Sequence, residues 1–369
     1  MSKIKAGILT FSDGRKYIHE DLIGINQAYQ NSLAEALTAT GEVEVVPGTE
    51  IIWNQQVAQQ QGRRLAEAGC DVTILNYAIW CFPHLTAVAT AFAPGPFLLF
   101  CNVHPSEPGM VGMLAAAGTL AQLDRPHTRI WGRIQDAAVR AKVMSFLKAA
   151  GALSRLRGQT YGLFGGRPLG MYTAVANLDE WQRRFGVDVE HIEQYDIMEY
   201  AGQVEPARVD AALAWLERHV GQIRYDGRAL TPEKLKLQIR SYHAYRRLIE
   251  EKRLDFIGTK AHGDLTDRFV TVDIAEAFLN DPYDWEGPHE PIVAATEADM
   301  DGALTMQIFK LITRKPVLFS DVRHYDCGDG VWYLSNSGTH PTYFAAASDD
   351  PAVNLRQVTF YPEVSCYPA

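Results

Sequence analysis

Residues 291–324 read P-I-V-A-A-T-E-A-D-M-D-G-A-L-T-M-Q-I-F-K-L-I-T-R-K-P-V-L-F-S-D-V-R-H, and this stretch decides the fold. Apolar runs at 292–295 and 317–319 have the length of buried strands. Between them, residues 303–312 repeat apolar side chains at helical spacing. The pattern therefore predicts a strand, a helix and a second strand, joined by a right-handed parallel crossover.

A carboxylate follows each of these predicted strands, Glu297 after the first and Asp321 after the second. A parallel crossover would bring both acids to one sheet edge, where open α/β sheets bind ligands. Two carboxylates there can hold a divalent cation, and either can also move protons. Spacing alone equally allows such acids to cap helices or turns. Asp299 and Asp301 favour capping, because they precede the predicted helix and suit its positive end.

The composition is that of an ordinary globular protein of two or three domains, with 369 residues, 47% hydrophobic and 21% charged. The formal charge of −9 gives no sign of a positively charged surface that would bind phosphates, so we expect no nucleic-acid partner. The amino terminus enters a strand at once instead of an apolar signal region, and no apolar run is long enough to span a bilayer. These features predict a cytoplasmic protein with no membrane partner.

The five cysteines are scattered without paired spacing. This spacing argues against both a disulfide framework and a zinc site. We expect buried thiols at Cys70, Cys81, Cys101, Cys327 and Cys366.

The first half of the chain alternates strands with helices, which predicts a doubly wound parallel sheet. Strands are expected at 4–11, 43–46, 72–75 and 97–101, with helices at 22–38, 55–68 and 109–121 and a long one at 130–151 that ends at a glycine cap. Arg15 and Trp80 lie just past strand ends, where ligand-facing loops occur. For Trp80, the sequence by itself favours the alternative of a hydrophobic plug.

A second α/β domain is expected from a fresh strand at Thr160. Its glycines, G-G-R-P-L-G, do not form the G-x-G-x-x-G fingerprint, which argues against dinucleotide binding. Lys260 and His262 follow a strand at 256–258 and would share a sheet edge with Glu297, although a lone loop histidine is more often a surface residue. Helices are expected at 177–185, 206–222, 232–251 and 274–279.

After Asp321 the sequence changes to short strand-like pieces at 331–338, 343–346 and 358–369, with no further helix. We expect a β domain that begins here and is cut short, since a terminal apolar edge would favour aggregation. The predicted division is therefore a Rossmann-like domain at 1–158, a second one carrying Glu297 at 159–315, and the start of a β-rich carboxy-terminal domain at 316–369.

Several separate motifs, in order along nearly the whole chain, resemble those of the L-fucose isomerase family. They are D-G-R at 13–15, Trp80-Cys81, F-G-G-R-P-L-G-M-Y-T-A at 164–174, D-F-I-G-T-K at 255–260, D-W-E-G-P-H-E-P-I-V-A-A-T-E at 284–297, F-S-D-V-R at 319–323 and N-S-G from Asn336. The resemblance implies two Rossmann-like domains and a β-rich domain assembled as a hexamer. It also implies aldose-ketose isomerisation with a manganese ion, for which magnesium or cobalt are alternatives.

By this resemblance, Glu297 and Asp321 match the two family carboxylates that bind the metal and shuttle the proton. Arg15 and Trp80 match residues that reach a neighbouring subunit's active site, so the site would be shared between subunits. Met171 and Tyr172 match the loop near the substrate. Lys260 and His262 complete the substrate-binding candidates, from their place at the sheet edge.

One departure concerns the third metal ligand, a histidine that the family supplies from late in its carboxy-terminal domain. The sequence ends before that region, and His340 in N-S-G-T-H-P is the remaining candidate, outside the family's histidine motif. The predicted reaction passes through a cis-enediol of L-fucose, D-arabinose or a related sugar altered at carbon six. The alternative function is a metal-independent sugar-binding or regulatory protein on the same scaffold.

Overall fold

The computed structural model describes residues 3–336, 340–362 and 367–368. It divides into two compact units, Met1–Arg155 and Leu156–Ala369. The segment 316–369, predicted as a third domain, belongs to the second unit. Cys366 and the Ser337-Gly338 part of the N-S-G motif lie outside the described residues.

The first unit contains a five-stranded parallel sheet in the order β2-β1-β3-β4-β5, which confirms the predicted doubly wound fold. Its strands are β1 (Ile4–Phe11), β2 (Val43–Pro47), β3 (Val72–Tyr77), β4 (Phe97–Cys101) and β5 (His127–Trp131). Its helices are α1 (Lys16–Thr38), α2 (Gln55–Glu67), α3 (Pro83–Ala89), α4 (Gly109–Gln122) and α5 (Ala137–Leu156). In this order, ligands bind where the strand sequence reverses, between β1 and β3.

Both faces of this sheet are covered, which explains why its central strands read as continuous apolar runs. Along β4, Leu98 and Phe100 join one buried cluster, and Leu99 and Cys101 join the other. Successive side chains of a strand point to opposite faces, so the two clusters lie on the two faces of the sheet.

The prediction of a long helix at 130–151 is wrong at both ends. Ile130 belongs to β5, and Gly132 turns the chain with a φ of 132° before α5 begins. Gly151 is not a cap, because α5 continues to Leu156. A Cβ at Gly151 would lie 3.1 Å from Ile4 Cγ1, so this glycine permits close packing of α5 on β1.

The second unit contains a four-stranded parallel sheet in the order β12-β9-β6-β7, and confirms a second Rossmann-like fold. Read from β7, its strands follow the chain order 2-1-3-4, as the first four strands of the other unit do. The described strands of the second unit, in this sheet and outside it, are β6 (Thr160–Phe164), β7 (Asp188–Ile192), β8 (Gln222–Ile223), β9 (Phe256–Thr259), β10 (Tyr283–Asp284), β11 (Gly287–Pro288), β12 (Ala294–Ala295), β13 (Asp321–Asp326), β14 (Val331–Ser335), β15 (Val358–Phe360) and β16 (Tyr367–Pro368).

Helices of the second unit pack around one large buried cluster that includes residues of α7, α8, α9 and α11. They are α6 (Leu178–Phe185), α7 (Gln194–Gly202), α8 (Pro206–His219), α9 (Pro232–Lys252), α10 (Leu265–Arg268), α11 (Asp273–Asn280), α12 (Met300–Thr313) and α13 (Pro351–Leu355), with 3₁₀ turns at Tyr172–Ala174, Thr296–Ala298 and Thr342–Ala345.

Residues 317–319 are not the parallel strand that the apolar run predicted. The chain is irregular from Arg314 to Ser320, and Asp321 instead begins β13, which pairs antiparallel with β14 in a two-stranded hairpin. Phe319 packs against the amino-terminal turn of α12, since a Cβ added at Gly302 would lie 2.9 Å from Phe319 Cε2. Phe319 is thereby half-buried without a sheet, whereas Leu318 is 36% exposed.

The prediction of no helix after Asp321 is also wrong. Residues 343–346, predicted as strand-like, fall largely in the 3₁₀ turn Thr342–Ala345, and α13 follows with Asp350 as its side-chain cap. Beyond α13, β15 pairs with β16 and with β8.

Three cysteines are buried free thiols as predicted, namely Cys70, Cys81 and Cys101, but Cys327 is exposed in the turn between β13 and β14. A tight turn at the end of a hairpin has no packed interior that could bury the Cys327 side chain. Within the described ranges, no helix combines the length and the apolar character needed to cross a membrane.

Candidate active site

The candidate site of the second unit forms where β9 and β12 end side by side. The two strands are parallel neighbours, with Ala295 in register with Gly258. After each strand the backbone turns sharply through left-handed residues, with φ of 55° at Ala261, 55° at Glu297 and 53° at Ala298. A left-handed conformation costs on the order of 1 kcal/mol for a non-glycine residue, so the surrounding contacts must hold these turns.

These turns bring two predicted residues into contact. His262 Nε2 donates a hydrogen bond to Glu297 Oε1 over 3.2 Å. Both side chains keep about a third of their surface exposed, at 37% for His262 and 34% for Glu297. The contact orients the Glu297 carboxylate through its Oε1 atom.

Glu297 and Asp321 line the same cavity, which has a volume of about 220 Å³. Its lining residues are Ala261, His262, Thr266, Thr271, Val272, Asp273, Glu276, Thr296, Glu297, Asp321 and Asn336. Four of these side chains carry a carboxyl group, and His262 is the only basic residue among them. The predicted pair therefore shares one strongly acidic space, although Asp321 reaches it from a hairpin and not from a parallel strand end.

Glu276 is a site residue that the sequence reading missed. Its side chain is 1% exposed, and neither carboxylate oxygen has a hydrogen-bond partner within normal geometry among the described residues. Burial raises the pKa of this carboxyl well above its usual value, and Asp273 raises it further, while the nearby Thr296 hydroxyl lowers it. The available signal was a single glutamate inside the short apolar helix predicted at 274–279.

His340 takes a different place from the one expected of a metal ligand. It is buried and does not line the cavity, and its Nε2 accepts the backbone N–H of Asn336 at 3.0 Å. Burial lowers the pKa of His340, and the charge of Asp321 opposes that shift. Since Nε2 already accepts a hydrogen bond, that nitrogen is not free to bind a cation.

The donors in the cavity fit a hard divalent cation. Carboxylate oxygens are the ligands that manganese and magnesium prefer, and the unpartnered oxygens of Glu276 belong to the same lining. Glu297 and Asp321 are the residues that would hold such an ion. Across residues 3–336, 340–362 and 367–368, no group of three or more His, Cys, Asp or Glu side chains is arranged to hold a metal ion.

The other predicted binding residues of this unit lie outside the cavity lining. Lys260 follows β9 directly, and its Nζ lies 3.9 Å from Asp264 Oδ2. Met171 is half-buried, and Tyr172 is 82% exposed beneath the Arg167 guanidinium, 4.6 Å from the ring centre. Both belong to the loop after β6, the strand beside β9.

Arg15 and Trp80 belong to the first unit and follow its neighbouring strands β1 and β3, at the point where the strand order reverses. Arg15 donates hydrogen bonds to Asp13 from Nε at 2.9 Å and from Nη2 at 2.7 Å. This guanidinium lowers the pKa of the Asp13 carboxyl. Trp80 is half-buried and precedes the fully buried Cys81, so part of its indole remains accessible.

Comparison with known proteins agrees with the family resemblance that the sequence motifs indicate. Residues 3–158 match the family described as "L-fucose isomerase, first N-terminal domain". Residues 255–314 match the one described as "L-fucose isomerase, second N-terminal domain", and the two matches together span more than half of the chain. The chain belongs to the L-fucose isomerase family. The second match contains Lys260, His262, Glu276 and Glu297.

Similar proteins include three bacterial L-fucose isomerases. The chain is 26% identical to that of Bacteroides fragilis strain YCH46 over 364 residues, which cover 87% of this chain and 61% of the relative. It is 25% identical to that of Klebsiella pneumoniae strain ATCC 700721, with 89% and 62% covered. It is also 25% identical to that of Streptococcus pneumoniae, with 87% and 61% covered. The chain thus spans about 61% of the length of these relatives.

Proposed function

We propose that this chain acts as a metal-dependent aldose-ketose isomerase on L-fucose, D-arabinose or a related sugar. The observation that carries the proposal is the common cavity of Glu297 and Asp321, in a member of a family whose relatives are L-fucose isomerases. A space of about 220 Å³ with four carboxyl groups suits a small polyhydroxylated substrate. A dehydrogenase is disfavoured, because the loop after β6 lacks the dinucleotide fingerprint.

The two carboxylates supply what isomerisation through a cis-enediol needs. One removes the proton from the carbon next to the carbonyl, and the other moves the proton between the two sugar oxygens, with the roles exchanged in the reverse direction. Both side chains belong to one cavity, which suits a substrate that must meet both. A manganese ion at Glu297 and Asp321, or magnesium or cobalt in its place, would supply electrostatic stabilisation of the developing negative oxygen.

His262 has the role of orienting Glu297. Its hydrogen bond to Oε1 restricts rotation of the carboxylate and so fixes the direction in which Glu297 faces the cavity. The acidic lining around the pair makes this single basic partner important for the placement of Glu297.

Assembly belongs to the same proposal. Arg15 and Trp80 follow neighbouring strand ends of the first unit, so they can contact a ligand together. We place them at the active site of a neighbouring subunit in a hexamer, and we place the protein in the cytoplasm, where the free thiols of Cys70, Cys81 and Cys101 suit a reducing environment.

The test is the replacement of each carboxylate by its amide. Glu297→Gln and Asp321→Asn should each lower turnover by about 10²- to 10⁴-fold and weaken manganese binding, since each removes a charge from the proton pathway and the cation site. Asp210→Asn, an exposed residue of α8 that pairs with Lys236, is the matched control and should remain active. Full activity of either purified cavity variant would remove the mechanism.

Calorimetry with the sugar distinguishes the remaining alternative. An isomerase of this kind should bind sugar more tightly when manganese is present. Equal binding with and without metal, together with no interconversion, would instead identify a sugar-binding or regulatory protein.

A further inference from the structure

Two polar residues, Asn280 and Asp281, are buried at the carboxyl end of α11. Apolar side chains could be buried there at a lower cost in free energy. From Ile274 to Asn280 every residue of α11 is buried, and the next residue, Asp281, is also fully buried. Burying an amide or a carboxylate costs free energy unless its hydrogen bonds are made. Asn280 and Asp281 make theirs to two different segments of the chain.

Asn280 binds the strand that leads to Glu297. Its Nδ2 donates to Ala294 O at 2.8 Å, and its Oδ1 accepts from Ala294 N at 3.1 Å. Among the strands that the structure describes, β12 pairs with β9 on one side only, and the Asn280 amide bonds to its other edge as a neighbouring strand would. Ala294 lies three residues before Glu297, so these two hydrogen bonds hold the chain just before the left-handed turn at Glu297 and Ala298.

Asp281 binds the segment that supports Asp321. Its Oδ2 accepts from Thr342 N at 3.0 Å and from Thr342 Oγ1 at 2.5 Å, and its Oδ1 accepts from Tyr343 N at 2.8 Å. These three bonds hold the start of the 3₁₀ turn that follows His340.

His340 passes this restraint on to Asp321. Its Nε2 accepts the N–H of Asn336, which follows the last residue of β14. That residue, Ser335, is the strand partner of Asp321. A continuous series of contacts therefore leads from Asp281 to Asp321, and His340 is a link in it.

We infer that Asn280 and Asp281 are positioning residues that together set the separation of Glu297 and Asp321, an inference that rests on the proposed function of this pair. Consecutive residues cannot move far apart, so two distant parts of the chain are tied to one point of α11. Proton transfer requires reacting groups held within fractions of an ångström. Neither residue lines the cavity, and both act through other residues.

The experiment compares three variants of the full chain by hydrogen-deuterium exchange, manganese calorimetry and isomerase kinetics. Asn280→Asp keeps the acceptor but removes the Nδ2 group that donates to Ala294 O and to Glu276 O. Asp281→Asn removes one acceptor, and Thr342→Ala is a milder change that removes the hydroxyl donor to Asp281. Asn280→Asp should speed exchange at 294–299 but not at 321–336, and the other two variants should do the reverse. Each should lower manganese affinity and kcat by about 10- to 100-fold, with a smaller change in KM.

Val209→Ala, which truncates a buried side chain on α8, is the control for a general loss of stability. It should leave exchange in both segments and manganese affinity unchanged. Equal acceleration of both segments in every variant, or unchanged manganese affinity in Asn280→Asp and Asp281→Asn, would overturn the inference. If the wild-type chain neither binds manganese nor isomerises sugar, the proposed function fails, and the exchange pattern still decides whether the two segments are held separately.

Discussion

His262 Nε2 lies 3.2 Å from Glu297 Oε1, so a residue of the loop after β9 holds the carboxylate that follows β12. We expect His262→Leu to lower turnover by about 10- to 100-fold, because Glu297 loses the donor that orients it. The pair is partly exposed, so the free energy of unfolding should change by less than about 1 kcal/mol. Steady-state kinetics and urea unfolding measure the two effects.

Two further variants test that explanation. His262→Gln retains an N–H donor near the position of Nε2 and should recover part of the lost activity. His191→Leu changes an exposed histidine on β7 and should be neutral. If the Leu and Gln variants at 262 are equally inactive, the hydrogen bond is not the reason for the loss.

Asp281 should make the stability of the second unit depend on pH. Burial raises its pKa to about 7, and the hydrogen bonds from Thr342 and Tyr343 only partly oppose that shift. Because this folded-state pKa is above the unfolded value near 3.8, the favourable contribution is complete below about pH 4 and is lost as the pH rises through about 7. The loss is on the order of 4 kcal/mol.

Urea unfolding from pH 4 to 8 measures how the free energy of unfolding depends on pH. The Asp281→Asn variant shows how much of that dependence comes from Asp281. The variant should be less stable than the wild type at pH 4, since it loses an acceptor, but the difference should shrink as the pH rises. Parallel curves for the two proteins would show that Asp281 does not titrate in this range.

Arg253 offers a stability prediction away from the cavity. It ends α9 in a left-handed conformation, with φ 54° and ψ 48°, a position that favours glycine. Arg253→Gly should raise the free energy of unfolding by about 0.5–1 kcal/mol. Arg253→Ala keeps a Cβ and should show no such gain, so an equal effect of both variants would contradict the conformational explanation.

The convergence of Glu297 with His262 could be predicted because it depends only on strand order. Both residues follow the ends of parallel strands that are neighbours in the sheet, and the alternation of strands and helices was enough to predict such a sheet. The strand β7 was missed because D-V-E-H-I is mostly exposed at the sheet edge and has few apolar residues.

The support of Asp321 could not be predicted by the same reasoning. The apolar triplet at 317–319 has the composition of a strand, but its Phe319 packs on α12 and its Leu318 is exposed, and no local pattern distinguishes these outcomes from a strand. The contact between Asp281 and Thr342 joins residues 61 positions apart, so neighbouring sequence says nothing about it. Glu276 was missed since a single glutamate in a short helix is usually a solvated residue, and the sequence does not show that α11 is buried on every side from Ile274 to Asn280.

Gly258 allows the ends of β9 and β12 to approach closely. A Cβ there would lie 2.0 Å from Tyr161 Oη and 3.2 Å from Ala298 Cα. Gly258→Ala should therefore lower the free energy of unfolding by about 1–3 kcal/mol. Tyr161→Phe alone should be neutral or stabilising, because that hydroxyl is buried without a hydrogen-bond partner among the described residues.

Combining the two changes separates stability from catalysis. In the Tyr161→Phe background, Gly258→Ala should cost less stability, because the nearest clashing atom is gone. The contact with Ala298 remains, so the turn that carries Glu297 should stay displaced and activity should stay low. Urea unfolding and turnover of the four proteins measure this double-mutant cycle. Additive stability effects would contradict the clash, and recovery of activity along with stability would show that the approach to Ala298 does not position Glu297.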